Sequence, residues 1–153
     1  MPMKLFVFSL ILLSFTYSSK PDIESVNKVL DGWHLAATNA QFENYFNLME
    51  ENSVFIGTAP GERWTKSEFM TFSKPYFDKG KAWDFKVKKR NVTFSKDGKT
   101  AWFDEVLDTW MKDCSGSGVL VKSKGKWKIA FYDLHVLMEN EKMTEFLKLR
   151  NGN

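Results

Sequence analysis

The stretch Thr100–Trp110, TAWFDEVLDTW, alternates residue by residue. Ala101, Phe103, Glu105, Leu107 and Thr109 fall on one side, and Trp102, Asp104, Val106, Asp108 and Trp110 on the other. A period of two marks a strand with one face turned to a core. The first set carries one charge among bulky apolar groups, and the second carries two. The reading is therefore a strand with Glu105 inward and Asp104 and Asp108 in water, because a slip of one residue would exchange the two faces.

Its neighbours extend the pattern. KDGK, Lys96–Lys99, puts Asp-Gly at the centre of a hairpin turn. It joins Thr100–Met111 to an earlier strand over Trp83–Ser95. Downstream, Gly118–Lys122 reads as a short strand. KGK at Lys124–Lys126 turns into a last strand over Trp127–Met138, and Asn140 caps a final helix reaching about Leu149.

The N-terminal part is helical. Asp22 can cap a helix whose apolar positions Ile23, Val26, Leu30, Trp33, Ala37 and Ala40 recur at helical spacing, widened by Val29 and Ala36. His34 lies four residues after Leu30, at the edge of that face. A short helix over Phe42–Met49, a strand over Ser53–Thr58 and a Pro60-Gly61 loop follow. Thr65 with Glu68 three residues on is a capping box. The helix it opens carries Phe69, Phe72 and Tyr76 and closes near Asp78–Gly80, with Pro75 kinking or shortening it. Two or three helices and then an antiparallel meander make an α+β fold, a cone-shaped curved antiparallel sheet wrapped around N-terminal helices.

The 153 residues suit one domain. Lys4, the apolar run Leu5–Leu13 and the small residues Thr16, Ser18 and Ser19 read as a signal peptide over residues 1–19, with a single domain over 20–153. The protein is expected to be secreted or periplasmic, with no membrane attachment once the signal is removed. Without Lys4 the net charge of +3 becomes +2, close to neutral. The run KVKKR, Lys86–Arg90, reads by alternation as a solvated strand face carrying Lys86, Lys88 and Arg90, and no nucleic-acid partner is expected. The single cysteine, Cys114, excludes an internal disulfide. It is either a small buried hydrophobe or a partner in an intermolecular bridge. Two distant histidines and one cysteine have no metal-ligand spacing, and no cofactor is implied. Asn91-Val92-Thr93 is a formal glycosylation sequon, relevant in a eukaryotic secretory pathway.

Several segments resemble the nuclear transport factor 2-like superfamily, and within it the SnoaL-like domains. These are GWHLAATNAQFENYF from Gly32, VFIGTAPGERWTKSEF from Val54, KTAWFDEVLD from Lys99, CSGSGVLVK from Cys114 and GKWKIAFYDL from Gly125. The resemblance implies a highly curved sheet enclosing a pocket roofed by helices, often in a homodimer. It implies no particular activity, because one scaffold hosts many functions. The superfamily includes ketosteroid isomerase, but no residue here aligns with that enzyme's base or oxyanion donor. The acidic residue that often follows Gly-Thr in SnoaL-like chains is Ala59 here.

Glu105 is the first candidate for chemistry. A lone carboxylate in an apolar cavity has a raised proton affinity, which suits acid-base work or ligand anchoring. Its alternative is a pair with an interior arginine. Asp133 shares a face with Trp127, Ile129 and Phe131 by alternation and is expected to wall the pocket, with His135 near the rim. Both have a hydrogen-bonded structural role as the alternative. His34 is either a satisfied core histidine or a proton carrier. Arg63 either meets an anionic ligand or neutralises Glu105. Trp64 either walls the pocket or packs the start of the third helix.

Three function classes remain. The first is a secreted protein binding a small, partly apolar ligand in the cone. The second is an isomerase, hydratase or cyclase pairing Glu105 with His34 or Asp133. The third is a dimeric interaction module with a filled cavity. Glu105 and His34 open to an apolar cavity would favour the first two, and a packed interior the third.

Overall fold

A computed structural model describes residues 23–150. The proposed signal peptide and the Asp22 cap lie outside this span. Helices α1 (Ile23–Thr38) and α2 (Phe42–Asn47) lead into strand β1 (Met49–Ile56). The short strand β2 (Arg63–Thr65) and helix α3 (Lys66–Asp78) follow. Strands β3 (Lys86–Phe94), β4 (Thr100–Thr109), β5 (Lys112–Ser123) and β6 (Lys126–Val136) form the meander, and α4 (Met143–Arg150) follows a single 3-10 turn.

One six-stranded, unclosed sheet has the order β2-β1-β6-β5-β4-β3. Consecutive strands of the meander pair antiparallel, as do β1 and β2. Strand β1 lies parallel to β6, because α3 and the meander carry the chain away and back between them. The capping box forms as expected: Glu68 N–H donates to Thr65 Oγ1, and Thr65 N–H donates to Glu68 Oε2 at 2.8 Å. Helix α3 runs through Pro75 to Asp78 without being shortened. Strand β5 is longer than its apolar run suggests, because Cys114, Gly116 and Gly118 continue the buried alternation of Leu120 through small residues.

The concave face of the sheet is filled mainly by rings. Trp33 of α1 stacks on Tyr45 of α2 with centroids 4.7 Å apart and meets Tyr132 of β6 edge-on at 4.7 Å. Phe55 of β1 stacks on Phe69 of α3 at 4.0 Å. Each such pair contributes about 0.5–1.5 kcal/mol beyond area burial. These contacts tie the helical layer to the sheet.

Two β-bulges decide which side chains enter the cone. In β3, pairing passes from Val87–Leu107 to Lys89–Val106, so Lys88 has no register partner. In β6, pairing passes from Ile129–Leu120 to Phe131–Val119, so Ala130 is the extra residue. A bulge adds one residue to one strand and reverses its alternation from there on. The KVKKR run therefore does not share one face: Lys86 is exposed, while the Arg90 side chain turns inward and is 6% exposed. Beyond Ala130, Tyr132 and Leu134 become the buried residues. Asp133, expected to wall the pocket, and His135, expected near its rim, lie on the outer face.

Candidate functional site

Glu105 faces inward as expected, and its neighbours consume both carboxylate oxygens. Oε1 accepts from His34 Nε2 at 2.9 Å and from the Tyr132 hydroxyl at 3.1 Å. Oε2 accepts from Arg90 Nε at 2.8 Å. Arg90 Nη1 reaches the exposed Asp31 at 2.7 Å and the half-buried Asn27 at 3.4 Å, both on α1. The Glu105 side chain is 0% exposed. Gly116, its register partner on β5, makes the cluster possible. A Cβ there would come within 2.3 Å of the Tyr132 hydroxyl oxygen and 3.0 Å of Glu105 Cγ.

Burial alone would push the Glu105 carboxyl up. The hydrogen bond and charge of His34, with the charge and hydrogen bond of Arg90, outweigh it and hold the group below its ordinary range. An ionised carboxylate accepts only, so His34 Nε2 carries the proton in their bond. Burial first, and then the adjacent Glu105 charge, push the Tyr132 hydroxyl well above its usual range, so it stays a donor. This is an interior ion-pair network in which both Glu105 oxygens are paired and Arg90 Nη2 is buried without a partner. Arg90 fills the interior-arginine role that Arg63 was a candidate for. Arg63 is exposed, and its register partner Ile56 lies beside Asp133 on the outer face.

A separate cleft lies between the helices and the curved sheet. Its volume is about 230 Å³, open to solvent on one side, and it is walled by Phe55, Trp64, Phe69, Phe72, Trp83 and Phe85, with Met111 and Leu134 at its β-sheet side. Trp64 stacks on Phe72 at 4.5 Å, and Phe69 lies against Trp83 at 5.7 Å. Its polar border is the β1–β2 turn, with Gly57, Thr58 and Glu62. Glu105 is absent from these walls. Phe55 lines the cleft, Tyr132 stacks behind Phe55 at 5.5 Å, and Glu105 lies behind Tyr132.

Of the sequence candidates, Trp64 reaches this cleft, and His34 and Glu105 meet in the buried network. His34 also touches a shallow opening shared with Asp31, Thr38 and Phe85. Asp133 and His135 approach each other to 3.6 Å on the outer face, away from both. The sequence reading missed Arg90, Tyr132 and the cleft walls Phe55, Trp83 and Phe85. Arg90 was legible from the hairpin: with Ser95 facing Thr100 across the Asp-Gly turn, counting back five residues on each side puts Arg90 opposite Glu105. Among the described residues no group of three or more His, Cys, Asp or Glu is placed to hold a metal, and no helix is long and apolar enough to cross a membrane.

The chain matches the sequence pattern of the SnoaL-like domain over residues 26–139. No curated protein matches it in sequence. Among solved structures it is similar to a domain of unknown function with a cystatin-like fold from Nostoc punctiforme PCC 73102. That match has a TM-score of 0.70 and 17% identity over 89% of this chain and 90% of the other. An NTF2-like protein of unknown function from Pseudomonas putida KT2440 aligns with a TM-score of 0.64 and 10% identity, over 78% of this chain and 89% of the other. A proposed dehydratase of the NTF2-like family from Streptomyces avermitilis aligns with a TM-score of 0.65 and 12% identity, over 76% of this chain and 96% of the other. At such identities the likeness is one of fold.

Proposed function

Since the chain belongs to the SnoaL-like domain family, whose scaffold serves unrelated activities, we propose that it binds a small, largely apolar ligand in the aromatic cleft. One observation carries this reading: the cleft between the helices and the curved sheet keeps about 230 Å³ walled by rings, while Glu105 is sealed behind Tyr132. Pockets for small organic molecules are concave and mostly apolar with a few placed polar groups, and this one lies below their usual volume of about 300–1,000 Å³, which suits a small ligand. The third class, a module with a filled cavity, has less support for the same reason.

Acid-base turnover as an isomerase, hydratase or cyclase is the second reading. It rests on the 2.9 Å contact between His34 and Glu105. A general base must come within hydrogen-bonding reach of the proton it removes, so this reading requires the network to open.

Export is proposed on the N-terminal Lys4 and Leu5–Leu13 pattern. A homodimer through the outer face of the sheet is supported by Val54, Val119, Val121 and Phe131, which are half-buried there beside Asp133.

Titration with N-phenylnaphthylamine, a neutral apolar fluorophore, tests the binding reading. Saturable binding is expected, weakened about tenfold or more by Trp64→Ala, the equivalent of about 1.4 kcal/mol. Absence of saturable binding, or binding indifferent to Trp64→Ala, would overturn it.

A further inference from the structure

The polar border of the aromatic cleft is a carboxylate in a prepared seat. Glu62 closes the β1–β2 turn: Gly57 N–H donates to its backbone carbonyl at 2.8 Å, and Ala59 N–H donates to its Oε2 at 2.9 Å. The carboxylate is thereby folded back against Gly57. A Cβ on Gly57 would lie 2.3 Å from Glu62 Oε2 and 3.1 Å from its Cβ. The Gly57 backbone is not in the left-handed region, in contrast to Gly61 in the same turn, with a φ of 83°. What position 57 needs is space, and the group occupying that space is the Glu62 carboxylate.

Among the described residues no Lys, Arg or His side chain pairs with Glu62, and Ala59 N–H is the donor to its carboxylate. Arg63, next in sequence, is directed to the outer face. The rings are equally without a protein cation. The cation–ring contacts among the described residues fall on Phe42, Trp127 and Phe146, none of which lines the cleft. The cleft thus combines electron-rich ring faces with one fixed negative charge at its edge. Ring faces attract cations, most strongly those of Trp, and the attraction grows where water is displaced. Carboxylate and rings therefore favour the same kind of guest.

We propose that the cleft selects an organic cation: an ammonium head carried on a small apolar body, with the head between the Trp64 side and Glu62 and the body against Phe55, Phe69 and Trp83. This rests on the apolar-cleft reading and narrows it to one ligand class. The overall charge of +3 would disfavour cations at long range. Short-range pairing outweighs that, because exposed charges beyond about 10 Å are screened at ordinary salt.

The test uses displacement of N-phenylnaphthylamine from the whole protein by two probes of the same shape, benzyltrimethylammonium and its neutral carbon isostere neopentylbenzene. The cation is expected to compete at about tenfold lower concentration than the isostere. Glu62→Gln keeps the Ala59 hydrogen bond through the amide oxygen and removes the charge, and it should erase that preference. Gly57→Ala should do the same by dislodging the carboxylate, with thermal unfolding confirming that both variants are folded. Equal competition by the two probes, or a preference that survives both substitutions, overturns the inference while leaving the apolar-cleft reading intact. Failure of the fluorophore and both probes to bind overturns both.

Discussion

Arg90 and Glu105 are register partners on β3 and β4, and the Arg90 Nε donates to Glu105 Oε2 at 2.8 Å inside the cone. Both side chains are almost wholly removed from water. A buried pair of this kind adds little net stability over an apolar substitute, but breaking it leaves one charge stranded. The carboxylate that stood out in the sequence thus has a structural occupation.

The first prediction follows from that stranding. Glu105→Gln leaves the Arg90 guanidinium with Asp31 and Asn27 on α1 and no counter-charge inside. It should lower unfolding stability at neutral pH by about 3 kcal/mol, the low end for breaking a buried pair. Affinity for the cleft fluorophore, measured on the folded fraction, should change less than about twofold, or under about 0.4 kcal/mol. An unchanged urea midpoint with lost binding would instead make Glu105 a ligand group.

The second concerns pH. The folded-state pKa of Glu105 lies below its ordinary 4.5. A depressed carboxylate stabilises the fold above its unfolded pKa and loses that contribution as pH falls through the folded value. The stability gap between the native protein and Glu105→Gln should therefore be full at pH 7 and close progressively below pH 4.5. Urea unfolding from neutral to acid pH reads this directly. A gap constant to pH 3 would show that the carboxylate charge is not what the fold uses.

The third tests the space at Gly116. Gly116→Ala places a methyl 2.3 Å from the Tyr132 hydroxyl oxygen. Overpacking of this kind costs about 1–3 kcal/mol. Tyr132→Phe removes the oxygen, so the same alanine should cost less in that background. A double-mutant cycle on thermal unfolding should give a favourable coupling of at least about 0.5 kcal/mol, as expected for residues in contact. Strict additivity would separate Gly116 from the Glu105 network.

The fourth concerns Cys114, which is fully buried beside Leu107 with its sulfur 3.5 Å from Thr109 Oγ1. Burial makes it a small core residue in this fold. Cys114→Ser keeps the size and can retain the Thr109 contact, so its cost should stay below about 3 kcal/mol. The native protein should resist thiol reagents until it unfolds. Rapid labelling of the folded chain would show that this part of β5 opens.

The sequence alone was sufficient for the fold class, the order of the main helices and strands, and one face of one strand, but not for β2 or the parallel pairing of β1 with β6. Helical spacing in α1, the Thr65–Glu68 box, the Asp-Gly turn and the alternation in TAWFDEVLDTW are local signals, and each acts within a few residues of where it is read. Glu105 pointed inward as its alternation required. Arg90, Asp133 and His135 were misplaced for a single physical reason. A bulge at Lys88 and another at Ala130 each add one residue to a strand, and period-two counting reverses beyond such a point. Nothing within either strand marks the bulge, because it is set by how the strand must bend to pack with its neighbours across the cone. The same holds for the cleft. Its walls come from β1, β2, α3, the segment before β3, the β4–β5 turn and β6, and their convergence on one small volume, with Glu62 at its edge and Glu105 sealed behind it, exists only once the sheet has curled over the helices.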